Sequence, residues 1–211
     1  FMKSFISEDD IEQSICNRLS QPEYGWERIE CDPKVAAQDD VSTTGRGSSA
    51  ECILPEVFLN ALKRMNPQID IEVLKQIVRD FRRDYTATDM VDTNYKFYNQ
   101  IRNGIKVKVK KNGKEDFDIV RLMDFNNVDN NDFHCVNQMW IKGKFRYRRP
   151  DILLFVNGLP VVFIELKNST VKVEESYNKN LVSYRKDIPN IFALNQICVL
   201  SNGLQTKLGA W

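Results

Sequence analysis

Apolar residues recur every three to four positions through the first half of the chain. Through the second half they recur at every second position or in unbroken runs. Ile11, Ile15 and Leu19 repeat at intervals of four behind Ser7, a residue type that caps helix N-termini, which predicts a first helix ending before Pro22. Residues 32–50 are polar, aperiodic and rich in Gly, Ser and Thr, so an exposed loop is expected there. Pro55 suits the first turn of a helix reaching Met65, and Asp70 can cap one carrying Ile71, Leu74, Ile77, Val78 and Phe81. Thr88 can cap another, with Val91, Tyr95, Tyr98 and Ile101. These three helices read as a helical insertion over about residues 51–103.

The period then changes to two. Ile105, Val107 and Val109 alternate with Lys106, Lys108 and Lys110, and Asn112-Gly113 is a hairpin turn into a strand-like run over 116–125. Short apolar runs at 133–141, 152–156 and 161–166 have strand length. Val173, Tyr177, Leu181, Tyr184 and Ile188 form one stripe of a helix over 171–188, which Pro189 is expected to stop, and 197–200 reads as a last buried strand. The pattern predicts one α/β domain over residues 1–211, with a core sheet at about 104–203.

Composition narrows the classes. With 42% hydrophobic residues among 211, the chain can fill one sizeable core. No run approaches the roughly 20 apolar residues of a membrane span, and no basic segment precedes an apolar one at the N-terminus, so the expected location is the cytoplasm. The five cysteines are scattered and odd in number, and His134 is the single histidine, which argues against disulfides and structural zinc and leaves all six as structural residues. There is no GxxxxGK[ST] loop, so ATP hydrolysis by that route is excluded. Phe1 precedes Met2, and the chain stops at Trp211 just after a strand-like stretch, so it reads as a fragment. A net charge of +1 does not announce nucleic-acid binding, and local clusters must carry that argument.

The chemistry concentrates between Arg149 and Lys167, in RPDILLFVNGLPVVFIELK. Two uniformly apolar strands are joined through Asn157-Gly158, and each carries charge only at the end away from the turn. A carboxylate there costs several kcal/mol unless a metal or a hydrogen-bonded partner compensates. Glu165 and Lys167 are two apart and leave the same face of a strand. A strict two-residue turn would place Asp151 opposite Ile164, with Asp151 and Glu165 on opposite faces. A three-residue connection or a bulge is therefore expected, which brings the two carboxylates side by side. So arranged, Asp151, Glu165 and the main-chain carbonyl of Leu166 could hold Mg²⁺, and Lys167 could orient water or stabilise charge on phosphorus. A bare match of this kind is more often a solvated strand-end ion pair, and it is the buried context that favours catalysis.

These residues resemble the N-terminal region of the R (restriction) subunit of type I restriction-modification enzymes, from the first helix to the end of the chain. The resemblance implies a restriction-endonuclease-like PD-(D/E)xK core, a central mixed sheet flanked by helices, with the helical insertion added. It also implies a Mg²⁺-dependent DNA endonuclease, in which Mn²⁺ substitutes for Mg²⁺, without sequence specificity of its own. Double-stranded DNA would be the substrate, methyltransferase (M) and specificity (S) subunits the partners, and ATP would act only through a motor domain further along the chain. Asp151, Glu165 and Lys167 become the catalytic set, and Glu12 fits an additional acidic position for which Glu8 competes. The family's QxxxY motif reads here as Asn180-Leu-Val-Ser-Tyr184. The shorter Asn side chain puts that contact in question and favours an alternative: a catalytically silent nuclease-fold module that docks a motor or nucleic acid.

Two basic clusters remain. Lys142, Lys144, Arg146, Arg148 and Arg149 run into Asp151 with Phe145 and Tyr147 interleaved, and are expected either to contact the DNA backbone or to form a solvated loop. Lys106, Lys108 and Lys110 read first as protection of an edge strand.

Overall fold

The computed structural model describes residues 5–32, 34–37, 41–83, 85, 89–111, 114–175 and 180–210. Thr88, Asn112, Gly113, Tyr177 and Trp211, all singled out above, lie outside them. The first half holds α1 (Glu8–Leu19), β1 (Glu27–Glu30), α2 (Pro55–Met65), α3 (Ile71–Phe81) and α4 (Met90–Asn103). The second holds β2 (Ile105–Lys111), β3 (Lys114–Val120), β4 (Phe133–Asn137), β5 (Ile141–Lys142), β6 (Tyr147–Arg148), β7 (Ile152–Val156) and β8 (Leu159–Leu166). After these come α5 (Val173–Glu175), α6 (Val182–Asp187), α7 (Pro189–Leu194), β9 (Ile197–Ser201) and β10 (Thr206–Gly209).

Six strands form a mixed sheet in the order β1-β4-β7-β8-β9-β10, while β2-β3 and β5-β6 make two separate hairpins. The neighbours of β7 are antiparallel, and β8 runs parallel to β9, as β1 does to β4. One face carries a small cluster in which Ile11 and Cys16 of α1 meet Cys135, Ile152, Leu154, Ile164 and Leu166. The other face carries the main core, where Phe155, Phe163 and Leu200 pack with Phe58, Phe81, Phe97, Ile191 and Phe192 from the helices. This is an α/β three-layer arrangement with the sheet at its centre.

Local chemistry explains most of the elements. Ser7 caps α1 in a capping box with Asp10, and Asp70 caps α3 through the Glu72 N–H. Asp89, the neighbour of the expected cap, caps α4. Pro189 does not simply end the preceding helix. Its fixed φ also starts α7, whose Ile191, Phe192, Ala193 and Leu194 are buried. The short polar β1 and the exposed β10 carry no clear period and were not expected.

The β7–β8 connection decides the site. Asn157 (φ 52) and Gly158 (φ 78) make a two-residue turn that pairs Val156 with Leu159 and Phe155 with Pro160. Pairing then resumes as Leu154 with Val162, so Val161 is an extra, bulged residue. Its carbonyl is not orphaned: Gln196 N–H donates to it at 2.9 Å and the Asn195 side chain at 3.2 Å. Of the two expected solutions, the bulge is the one adopted. The turn itself is buried: Asn157 accepts from Asp132 N–H at 2.8 Å and donates to Leu122 O and Asn131 Oδ1, both at 2.9 Å.

The Gly158 carbonyl also accepts the Leu54 N–H at the start of α2, and a Cβ there would lie 2.5 Å from Leu54 O. Gly158→Ala combines a left-handed φ, worth about 1–2 kcal/mol, with a backbone clash of similar cost. We expect it to lower stability by about 3 kcal/mol in urea unfolding; an unchanged midpoint would contradict this account of the turn.

Candidate active site

Because Ile152 pairs with Ile164, the next positions outward are Asp151 and Glu165, side by side at the end of the sheet. Asp151 Oδ2 accepts the Leu166 N–H at 2.6 Å, which fastens the end of β7 to the end of β8. Glu165 is almost wholly buried, at 2% exposure, and lies on the same face of β8 as Phe163. Its Oε1 accepts from Lys167 Nζ at 3.0 Å and from Asn180 Nδ2 at 2.5 Å, while its Oε2 is buried without a hydrogen-bond partner. Lys167 also donates to Leu166 O at 2.5 Å and stands 3.7 Å from Glu8 on α1, and its own N–H bonds Ser201 O of β9.

The electrostatics follow from burial. Desolvation, then the neighbouring Glu165 charge, push the Asp151 carboxyl up to about 7, against the Leu166 N–H and Lys167, which act the other way. Burial alone would lower the Lys167 ammonium, but Glu165, Glu8 and Asp151 outweigh it and raise its pKa. Burial and the Glu165 and Asp151 carboxylates drive the Tyr184 phenol far above its ordinary range, so it stays a neutral donor. Its hydroxyl donates to Arg149 O at 3.2 Å, and its ring packs edge-on against Phe163 at 5.3 Å.

The structure brings most of the expected residues together. Asp151, Glu165, Leu166, Lys167, Asn180 and Tyr184 form one contiguous set. Asn180 and Leu181 lie in a wider, π-type turn just before α6, and the Asn180 amide is the one whose contact with Glu165 is given above. Glu12 lines the same cleft as Asp151, but its two oxygens are engaged by Asn137 at 2.8 Å and Gln138 at 2.5 Å. Glu8, the competing residue, lines the cleft too and faces Lys167. Of the three arginines, Arg146 is exposed, Arg148 is ion-paired with Asp187 and lies over the Tyr184 ring, and Arg149 stacks on Trp140 at 5.1 Å.

Sequence reasoning missed Asn137 and Gln138. Gln138 has φ 59, an uncommon conformation for a side-chain-bearing residue, and its N–H donates to Asp151 O at 2.9 Å while its amide holds Glu12. The only signal was a polar pair interrupting an apolar run.

Among the described residues no group of three or more His, Cys, Asp or Glu gathers as a metal cage. At the ends of β7 and β8 the donors are hard oxygens: the two carboxylates and the Leu166 carbonyl. The partnerless Glu165 Oε2 is what such a donor set leaves open for a cation.

A mixed sheet flanked by helices, with an aspartate and a Glu-x-Lys on adjacent strand ends, is a PD-(D/E)xK-like nuclease fold. The comparisons with known proteins agree. The model of the type I restriction enzyme R protein N-terminus matches residues 5–210, and the chain belongs to that family. It is 32% identical over 210 residues to the HindI type I restriction enzyme endonuclease subunit of Haemophilus influenzae, covering 97% of this chain and 19% of that protein. It is 33% identical over 173 residues to the putative MjaIXP type I endonuclease subunit of Methanocaldococcus jannaschii, covering 78% and 16%. The chain thus spans about a fifth or less of the length of these relatives.

Proposed function

We propose that this domain is the Mg²⁺-dependent DNA endonuclease of a type I restriction enzyme R subunit, hydrolysing phosphodiester bonds without sequence specificity of its own. The observation that carries the reading is the register: the Val161 bulge sets Asp151 beside Glu165, with Lys167 on the same strand end. Asp151, Glu165 and the Leu166 carbonyl would hold the ion, and Mn²⁺ would substitute for it. When bound, the ion supplies Lewis-acid chemistry, polarising the phosphoryl group and making water a better nucleophile. Lys167 keeps its charge and places it where negative charge develops on phosphorus. Asn180 fixes the Glu165 carboxylate, and Tyr184 closes the apolar wall behind it.

Double-stranded DNA is the substrate in this reading, with methyltransferase and specificity subunits as partners in the cytoplasm and ATP used by a motor elsewhere in the protein. No helix among the described residues is long and apolar enough to cross a membrane. The contact between Asn180 and Glu165 supports the catalytic reading over a catalytically silent module. Titration of the full-length protein with Mg²⁺ or Mn²⁺ by calorimetry tests the reading. Asp151→Asn is expected to weaken binding by at least about tenfold, since it removes one of two carboxylate ligands. Equal binding by parent and variant would leave the silent module as the better account.

A further inference from the structure

The β5–β6 hairpin immediately precedes Asp151, and its two ends differ sharply. The root is fixed. Ile141 pairs with Arg148 and Lys142 with Tyr147, Lys142 N–H donates to Ser49 O at 2.9 Å, and Arg148 is ion-paired with Asp187. Gly143 sits so tightly on α6 that a Cβ would lie 1.6 Å from Asp187 O. The tip, Lys144-Phe145-Arg146, is exposed throughout. Phe145 is 86% exposed, more than any other large hydrophobic residue among those described. Lys144 Nζ lies 5.2 Å from its ring centroid, and Arg146 follows it directly.

A single exposed apolar side chain is ordinary. An aromatic at the tip of an anchored hairpin, bracketed by two cations and leading into a carboxylate pair, is a more specific arrangement. Phe145 stands six positions before Asp151, so their Cα atoms are at most about 20 Å apart. That is within one turn of duplex, about 34 Å, of whatever phosphate reaches the acid pair.

We propose that this hairpin is a DNA-engaging finger: Lys144 and Arg146 contact phosphates on either side of a groove, and Phe145 wedges against a base step between them. The wedge partly unstacks that step, and the anchored root keeps it in fixed register with Asp151 and Glu165. The inference rests on DNA being the substrate of the site. It adds a residue class, an intercalating aromatic, that phosphate contacts alone do not require.

The test uses the full-length protein and a mixed-sequence 30-base-pair duplex carrying 2-aminopurine at successive positions, in EDTA so that metal chemistry plays no part. Phe145→Ala is expected to bind the duplex about tenfold more weakly, in the range of one base-aromatic stack, and to lose the rise in 2-aminopurine emission that reports unstacking. Phe145→Trp should restore both. Lys144→Ala combined with Arg146→Ala should lower the slope of log affinity against log salt by about two, whereas Phe145→Ala should leave that slope unchanged.

Parental binding and emission in Phe145→Ala would overturn the finger. So would a variant that assembles poorly with other subunits while its DNA binding is intact, because that would make the tip a protein contact. The nuclease reading fails on a separate measurement, metal binding and cleavage by Asp151→Asn.

Discussion

Asp151→Asn, Glu165→Gln and Lys167→Ala are each expected to reduce DNA cleavage by the assembled, full-length enzyme by on the order of 10²-fold or more. Each removes a different part of one arrangement. Asp151→Asn keeps the shape of the group that accepts the Leu166 N–H but halves the anionic donor set. Glu165→Gln keeps the volume at a position only 2% exposed, but turns a partnerless anionic oxygen into part of a neutral amide. Lys167→Ala takes away an ammonium that touches Glu165, and a preorganised charge of this kind is worth about 10²–10³ in rate. The three should not add, because they act on the same phosphoryl group. Gel assays of linear product, with circular dichroism to confirm the fold, read the outcome. Cleavage at the parental rate by all three would remove this site from consideration. Asn180→Ala should fall between, since it touches Glu165 and not the reacting group.

How much of this was legible in the chain depends on the interaction that decided each element. The apolar runs around Asp151 and Glu165 announced buried strands, and the parity of a sheet then required an odd residue between them. That requirement came from the period of two alone. Its position did not, because the bulge at Val161 is held by Asn195 and Gln196, some 34 residues away.

For Asn180, side-chain length was legible in the sequence, but the π-type turn in which it lies was not. α7 was hidden by the double meaning of proline, which both ends one helix and begins another. β1 is only four residues long, and its polar ERIE sequence is paired because β4 offers it an edge, not because of its own propensity. Glu12, Asn137 and Gln138 illustrate the general limit. A positive φ at Gln138 is imposed by tertiary contacts to Asp151 and Glu12, and no local pattern encodes it.

Asp151 is expected to withdraw stability from the metal-free protein as pH rises from about 4 to about 7, and Asp151→Asn is expected to abolish that contribution. The sign follows from proton binding. The Asp151 carboxyl is held up to about 7 in the folded protein, chiefly by burial and then by Glu165, whereas in the unfolded chain it returns to about 4. Between those values the folded state keeps a proton that the unfolded state has released, so raising the pH favours unfolding. Below about pH 4 both states are protonated and the contribution is fully present; above about pH 7 it is gone. A displacement of this size corresponds to about 4 kcal/mol if nothing relaxed, and on the order of 2 kcal/mol is expected once water and side chains adjust. At pH 8 in EDTA the Asp151→Asn protein should therefore melt several degrees higher than the parent, with the two converging near pH 4. Adding Mg²⁺ at pH 8 should raise the parent's melting point and leave the variant's nearly unchanged, because only the parent keeps both carboxylates for the ion. A variant that is less stable than the parent at pH 8 would show that Asp151 serves the fold through its Leu166 hydrogen bond more than it strains it. The opposite result would identify the site as one where stability is given up so that two acids can stand together.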